Sequence, residues 1–187
     1  MKIHIRLFIL FAILTSTAFF FQSCDELTED ISKVKVKVPI ERQTFTVDSA
    51  LFAQKTNEVI LAQFAVDINL DSIIEANGVD FLDQGTFSEL VIGVLDPEDV
   101  DLSFLEAAKV TVSSTESFEE EYIVATVTDI DEEQNSANLI INDLSVTDQL
   151  RQHVFYIRVY GQPGEPLPVN VVTMYVDGVV CLTIDLF

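Results

Sequence analysis

The feature that most constrains the fold is a period of two in the apolar residues, which recurs along most of the chain. The segment Lys33–Val38 alternates lysine with valine. The segment Glu58–Leu70 has apolar side chains at alternate positions, namely Ile60, Ala62, Phe64, Val66, Ile68 and Leu70. On a helix these six would point all round the axis, whereas on a strand they share one face. The pattern therefore predicts strands that bury one face.

Applied to the whole chain, this criterion predicts about ten short strands. They are Lys33–Val38, Gln43–Asp48, Glu58–Leu70, Glu89–Leu95, Ala108–Ser114, Glu121–Thr128, Ala137–Ser145, Val154–Gly161, Val169–Val176 and Val179–Leu186. Pro39 is expected to end the first strand, and its lysines suit a sheet edge. Asp177-Gly178 is a two-residue hairpin signal, with one long strand containing a glycine bulge as the alternative.

Short helical turns are expected at Asp71–Ala76, with Asn69 or Asp71 as the cap, and at Leu102–Ala107. Many short strands without long alternating helices predict a mainly β fold, an antiparallel two-sheet β-sandwich with one to three short helical turns. The body resembles immunoglobulin-like sandwiches in the loose sense of two packed sheets. The chain has no tryptophan, so it lacks the Cys-Trp-Cys core of antibody domains. Residues 33–187 are predicted to form this single domain.

The first 23 residues differ in composition from this body. Lys2 and Arg6 precede an apolar run from Leu7 to Phe21, which is shorter than the ~20 residues of a membrane-spanning helix. A basic start, a short apolar middle and a small residue at Ser23 are the parts of a secretory signal. Residues 1–23 are therefore interpreted as a signal peptide, with an uncleaved anchor as the alternative.

The segment Phe21-Gln22-Ser23-Cys24 resembles the lipobox of bacterial lipoproteins. Ser23 and Cys24 fit that pattern, whereas the family usually has Leu at the position of Phe21 and Ser or Ala at that of Gln22. The resemblance implies that Cys24 becomes the lipidated first residue of the mature protein. Two or more acyl chains anchor stably, at ~0.8 kcal/mol for each buried CH₂.

An acidic segment follows Cys24 and reads Asp25-Glu26-Leu27-Thr28-Glu29-Asp30. It resembles the acidic tag of some surface-exported lipoproteins of Gram-negative bacteria, and a plain linker is the alternative. Residues 24–32 are predicted to form an extended tether that spans at most ~30 Å. The expected location is the cell envelope, anchored by lipid in the outer membrane, with the leaflet left open.

The net charge limits the partners of the mature chain. Loss of Lys2 and Arg6 with the leader leaves 8 Lys+Arg against 31 Asp+Glu, a net charge of −23. This charge repels phosphate backbones, so nucleic acid is excluded as a partner. The expected partners are the membrane, through the lipid, and other envelope proteins or glycans.

Catalytic groups other than carboxylates are scarce. His153 is the one histidine left after residue 23, so any Ser-His-Asp or Cys-His pair would require it. No catalytic residue and no resident cofactor are predicted. Calcium is the weak alternative, because it takes oxygen ligands. Its candidate ligands lie in two acidic loops and are Asp96, Asp99, Asp101, Asp129, Asp131 and Glu133.

Tyr156, Arg158 and Tyr160 share the face of one predicted strand opposite Phe155 and Ile157. They form a speculative binding stripe for a glycan or a protein, and coverage by a loop or a second sheet is the favoured alternative. Cys181 could not form a disulfide with an acylated Cys24. It is interpreted as a small apolar residue on the less buried face of its strand.

The leading hypothesis is a non-enzymatic envelope lipoprotein, a lipid-anchored β-sandwich that acts as a structural, adhesion or binding module. Two alternatives remain open. One is a carrier or accessory subunit with a hydrophobic ligand between its sheets. The other is a glycoside hydrolase that uses two carboxylates at ~5–9.5 Å.

Overall fold

The computed structural model describes residues 33–53, 58–77, 81–130, 133–152 and 154–185. Nine strands form two antiparallel sheets in this part of the chain, which confirms the predicted fold class. The strands are β1 (Lys33–Asp48), β2 (Val59–Asp67), β3 (Phe81–Asp96), β4 (Leu105–Ser113), β5 (Tyr122–Thr128), β6 (Ser136–Asn138), β7 (Ile140–Ile141), β8 (Val154–Pro163) and β9 (Val171–Asp185). The helices are α1 (Ser49–Ala53), α2 (Leu70–Asn77) and α3 (Thr147–Leu150).

Sheet A has the strand order β1-β9-β3-β6, and sheet B has the order β2-β8-β4-β5-β7. The inward residues of β4 and β8 are fully buried between the sheets, with Val110, Val112 and Val159 all at 0 % exposure. Phe155 and Ile157 are each 1 % exposed. The apolar side chains of both sheets form one hydrophobic core, so burial of the alternating face explains the sandwich.

The first strand is longer than predicted, because Pro39 does not end it. β1 runs without a break to Asp48 and forms one edge of sheet A, where a missing N–H need not cost a ladder bond. Its register with β9 moves from Ile40 opposite Gly178 to Gln43 opposite Val176. Two residues of β1 therefore oppose one residue of β9, which is a β-bulge.

The Asp177-Gly178 pair lies inside a single strand, so the hairpin prediction is wrong and the long-strand alternative is correct. β9 is the second strand of sheet A and pairs with β1 on one side and β3 on the other. A Cβ atom at Gly178 would come within 2.6 Å of the Glu89 carbonyl oxygen and 2.7 Å of Leu90 Cδ2. Glycine is required here by the close approach of β3, not by a turn.

Other predicted elements also differ from the observed ones. The expected helix at Leu102–Ala107 is a turn followed by β4, which begins at Leu105. The predicted strand Ala137–Ser145 is two short strands, β6 in sheet A and β7 in sheet B. Leu139 lies between them, and its N–H donates to the Leu90 carbonyl at 2.9 Å. The chain thus crosses from one sheet to the other at this edge.

The long strand predicted over Glu58–Leu70 ends at Asp67 and changes phase near its start. An irregularity between Ile60 and Ala62 turns Ile60 outward, where it is 48 % exposed, and turns Leu61 inward. α2 begins at Leu70, one residue before the predicted start, and Asn69 is its cap, because the Asn69 side-chain oxygen accepts a hydrogen bond from the Ser72 N–H at 3.0 Å. This is an N-terminal cap.

A substitution at Gly178 tests the close approach of β3 to β9. Gly178→Ala should lower the free energy of unfolding by about 1–3 kcal/mol, because the added methyl group overpacks a site with no room. Chemical denaturation measures this change. Ala65→Val adds methyl groups at an exposed position of β2 and should stay within about 0.5 kcal/mol of wild type. Equal stability of Gly178→Ala and wild type would contradict the packing described.

Candidate functional site

The sequence-predicted site residues fall into three groups. Cys24, Asp131 and His153 lie outside the described residues. Of the remaining acidic candidates, Asp96 is the last residue of β3, and the others lie in the turns that follow β3 and β5. Tyr156, Arg158 and Tyr160 lie on β8, on the face of sheet B that points away from the core.

The two acidic loops meet at one end of the sandwich. A depression of about 480 Å³ is lined by Glu98, Asp99, Val100, Asp101, Glu133, Gln134, Asn135 and Ser136. Backbone bonds hold the loops together, since the Leu102 N–H donates to the Gln134 carbonyl at 2.9 Å. The structure thus brings together Asp99, Asp101 and Glu133, while Asp96 and Asp129 are not in this lining.

The Asp101 carboxylate is hydrogen-bonded within its own turn. Its Oδ1 atom accepts hydrogen bonds from Ser103 Oγ at 2.6 Å and from the Ser103 N–H at 3.1 Å. The hydroxyl bond, followed by the backbone bond, holds the pKa of the Asp101 carboxyl below its ordinary value of 3.8. A lowered pKa is the opposite of what a general acid needs. Over the described ranges, no three His, Cys, Asp or Glu side chains are grouped so that they could hold a metal ion.

Arg158 is the centre of the outer face of sheet B. Its side chain is 16 % exposed, and its guanidinium carbon lies 3.8 Å from the centroid of the Phe118 ring. Nη2 donates to Gln63 Oε1 at 2.8 Å, and Nη1 donates to the Tyr160 hydroxyl at 3.2 Å. A planar cation enclosed in this way is held by an aromatic face and by hydrogen bonds together.

Glu121 completes this network from the loop between β4 and β5. Its Oε1 atom accepts hydrogen bonds from the Tyr160 hydroxyl at 2.7 Å and from Thr111 Oγ1 at 2.5 Å. Burial raises the pKa of Tyr160 above its ordinary value of 10.0, and although the bond with Arg158 opposes this rise, Glu121 adds to it. The Tyr160 hydroxyl therefore stays protonated and donates to the carboxylate at neutral pH.

The same loop covers the proposed stripe through Phe118. This residue is 7 % exposed and has a φ of 54°, a conformation that is uncommon outside glycine. Its ring packs edge to face on Tyr156 with centroids 6.4 Å apart. Tyr156, Arg158 and Tyr160 are therefore brought together, but as a covered cluster joined to Phe118 and Glu121. A lone phenylalanine within the acidic run Glu116–Glu121 was the available sequence signal for this loop.

Cys181 lies on the outer face of sheet A, as its phase predicted, but it is only 8 % exposed. This is still the less buried face of β9, because the neighbouring inward residues Val180 and Leu182 are 0 % exposed. Its sulfur is disulfide-bonded, and the described part of the chain has no free cysteine. The other cysteine in the sequence is Cys24, which is outside the described residues.

No protein-family model and no curated protein matches the sequence. Among solved structures, an infectious bursal disease virus (Gt strain) protein is 11 % identical, with a TM-score of 0.42 over 87 % of this chain and 38 % of that chain. The family 32 carbohydrate-binding module of C. perfringens NanJ, solved with galactose, is 10 % identical. Its TM-score is 0.34 over 76 % of this chain and 99 % of that one. This chain spans less than half of the viral protein, and similarity at these scores does not bear on function.

In the segments that the structure describes, none of the helices combines the length and apolar character needed to span a bilayer.

Substitution of Ser103 tests the origin of the Asp101 pKa. Ser103→Ala should raise that pKa toward 3.8, because the strongest bond to the carboxylate is lost. A carboxyl NMR titration measures it. The folded pKa of Asp101 is depressed, so its contribution to stability is complete above the unfolded value and is lost as pH falls through the folded value. As the pH falls, the free energy of unfolding of Ser103→Ala should therefore decrease less than that of wild type. Ser117→Ala, remote in sequence, is the control, and an unchanged Asp101 pKa in Ser103→Ala would refute the assignment.

A double-mutant cycle tests the stacking of Arg158 on Phe118. The variants Arg158→Met and Phe118→Leu should couple by about 0.5–2 kcal/mol in the free energy of unfolding. The reason is that Arg158 and Phe118 are the two partners in one contact, so either substitution removes it. The matched control pairs Phe118→Leu with Arg151→Met, because Arg151 donates instead to the Leu82 carbonyl on β3. That pair should be additive within about 0.5 kcal/mol. Additivity of the Arg158 and Phe118 changes would show that the stacking does not stabilise the loop.

Proposed function

We propose that this chain is a non-enzymatic lipoprotein of the bacterial cell envelope. In this proposal, acyl chains on Cys24 anchor it in the outer membrane, and residues 24–32 connect the anchor to a β-sandwich that acts as a structural, adhesion or binding module. The observation that supports it most is the lipobox-like segment ending at Cys24, only nine residues before β1 begins at Lys33.

The short tether fits an anchored body. Nine extended residues span at most ~30 Å, so the sandwich would stay close to the membrane surface. A net charge of −23 on the mature chain repels anionic headgroups. Because charge does not attract the body to such a surface, the acyl chains would provide the attachment.

The carrier alternative needs an apolar cavity between the sheets. The inward side chains of both sheets instead meet in one core, with Val47, Ile92, Met174 and Leu182 all at 0 % exposure. Such packing supports a structural or binding role over storage of a hydrophobic ligand.

The hydrolase alternative needs a carboxylic acid that stays protonated near neutral pH opposite a second carboxylate. The acidic depression supplies carboxylates, and the lowered pKa of Asp101 makes that residue unsuited to the acid role. We propose no catalytic residue and no resident cofactor.

Substitution of each cysteine tests the anchor. Cys24→Ser should move the protein from the membrane fraction to the soluble fraction almost completely, because two acyl chains contribute far more binding free energy than one reversible contact. Cys181→Ser is the matched control and should remain in the membrane fraction. Immunoblotting of separated fractions measures the distribution. Membrane association of Cys24→Ser, or release of Cys181→Ser, would contradict the proposal.

A further inference from the structure

The two sheets have four edges in the described part of the chain, and three are protected against pairing with another strand. β6 and β7 are only three and two residues long. β1 is longer, but it has Lys33, Lys35 and Lys37 on its outward face, Pro39 in its middle and a bulge after Ile40. Lysine, proline, bulges and short length are the usual means by which sheet edges avoid association.

β2 is the edge strand of sheet B and lacks these protections. It is nine residues long and pairs with β8 on one side. Its stretch from Val59 to Val66 contains no charged residue and no proline, and its one irregularity lies near Leu61. Ile60 and Ala65 are exposed. An accessible, apolar strand edge of this length offers backbone hydrogen bonds to an added strand.

A groove lies beside the C-terminal half of β2, between the edges of the two sheets. It measures about 530 Å³, and its apolar lining includes Val38, Pro39, Ile40, Val66, Ile68 and Ile73. Side chains of an added strand would alternate between the two faces. Those on the inner face would enter this groove, so the edge offers side-chain contacts as well as backbone bonds.

Two carboxylates lie at the end of this surface beside the groove. Asp67 ends β2, and Glu41 lines the groove together with Asp67. Glu58, which precedes β2, is already paired with Lys109, whose Nζ atom lies 2.8 Å from Glu58 Oε2. A second copy is disfavoured as the occupant, because each mature copy has a net charge of −23 and two copies repel each other. The complementary occupant has a positive end that meets Asp67 and Glu41.

We propose that the edge of β2 is a docking site for an extended segment of a partner protein, apolar at alternate positions and basic at the end that meets Asp67 and Glu41. The segment adds a sixth strand to sheet B and fills the groove beside β1. This inference names the partner class of the proposed binding module and does not depend on the lipid anchor.

Hydrogen exchange on the full-length mature protein in detergent tests the site. The probe is a nine-residue peptide of alternating valine and threonine with lysine at both ends. It should slow exchange at alternate amides of β2, because those N–H groups gain partners on the added strand. The same peptide with glutamate at both ends is the control and should bind at least several-fold more weakly. Absence of protection in β2 at millimolar lysine peptide, or protection at β1 instead, would overturn the proposal.

Charge variants provide the second measurement. Asp67→Gln and Glu41→Gln should each weaken binding of the lysine peptide by about two- to fivefold at low salt. Glu165→Gln is the control, because it removes one exposed carboxylate from the loop between β8 and β9. It should weaken binding of the lysine peptide less than either of the other two substitutions. Protection of β2 that rises with protein concentration alone would show a second copy in the site and would also overturn the proposal. Failure of peptide binding would leave the anchor intact, because membrane fractionation tests that separately.

Discussion

The packing of two apolar sheet faces against each other is the interaction on which the rest of this structure depends. β9 illustrates it, because Val172, Met174, Val180, Leu182 and Ile184 are inward and all 0 % exposed. Many alternate residues of the long strands pack into this core. The outward residues, the loops and the edges therefore remain available for function. The two depressions described lie accordingly at loop and edge positions.

The outer faces are also largely used by the protein itself. On sheet A, Lys33 pairs with Asp83 at 2.8 Å and Lys37 with Glu89 at 3.2 Å, each across the intervening strand β9. On sheet B, Phe118 and Glu121 enclose Arg158. Exposed ion pairs of this kind add little stability individually. The enclosed guanidinium of Arg158, in contrast, holds the loop between β4 and β5 against sheet B through Phe118. What remains open is an acidic surface and one unprotected strand edge, which is consistent with the proposed binding module.

The sequence predicted the sheets well because burial acts directly on alternate residues. Val110, Phe155 and Leu182 are inward as their phase required. It failed where the outcome depends on a neighbouring strand. Gly178 lies in mid-strand because β3 approaches it, and Leu139 marks a change of sheet that periodicity does not encode. Coverage of Tyr156 was the favoured alternative from the sequence, but its identity as Phe118 was inaccessible, since the contact joins residues far apart in sequence through a loop with an unusual backbone angle.

The proposed lipid anchor requires a chemical state of Cys24 that can be measured directly. In the structure the sulfur of Cys181 is disulfide-bonded, and a Cys24 alkylated by lipid could not be its partner, because a thioether sulfur cannot also form a disulfide. The anchor therefore requires that the mature protein have no disulfide between Cys24 and Cys181. Intact-mass spectrometry of the protein from its native membrane distinguishes these states. The account predicts a chain that begins at Cys24 and bears acyl groups. A chain that retains residues 1–23, or a Cys24 joined to Cys181 without lipid, would contradict it.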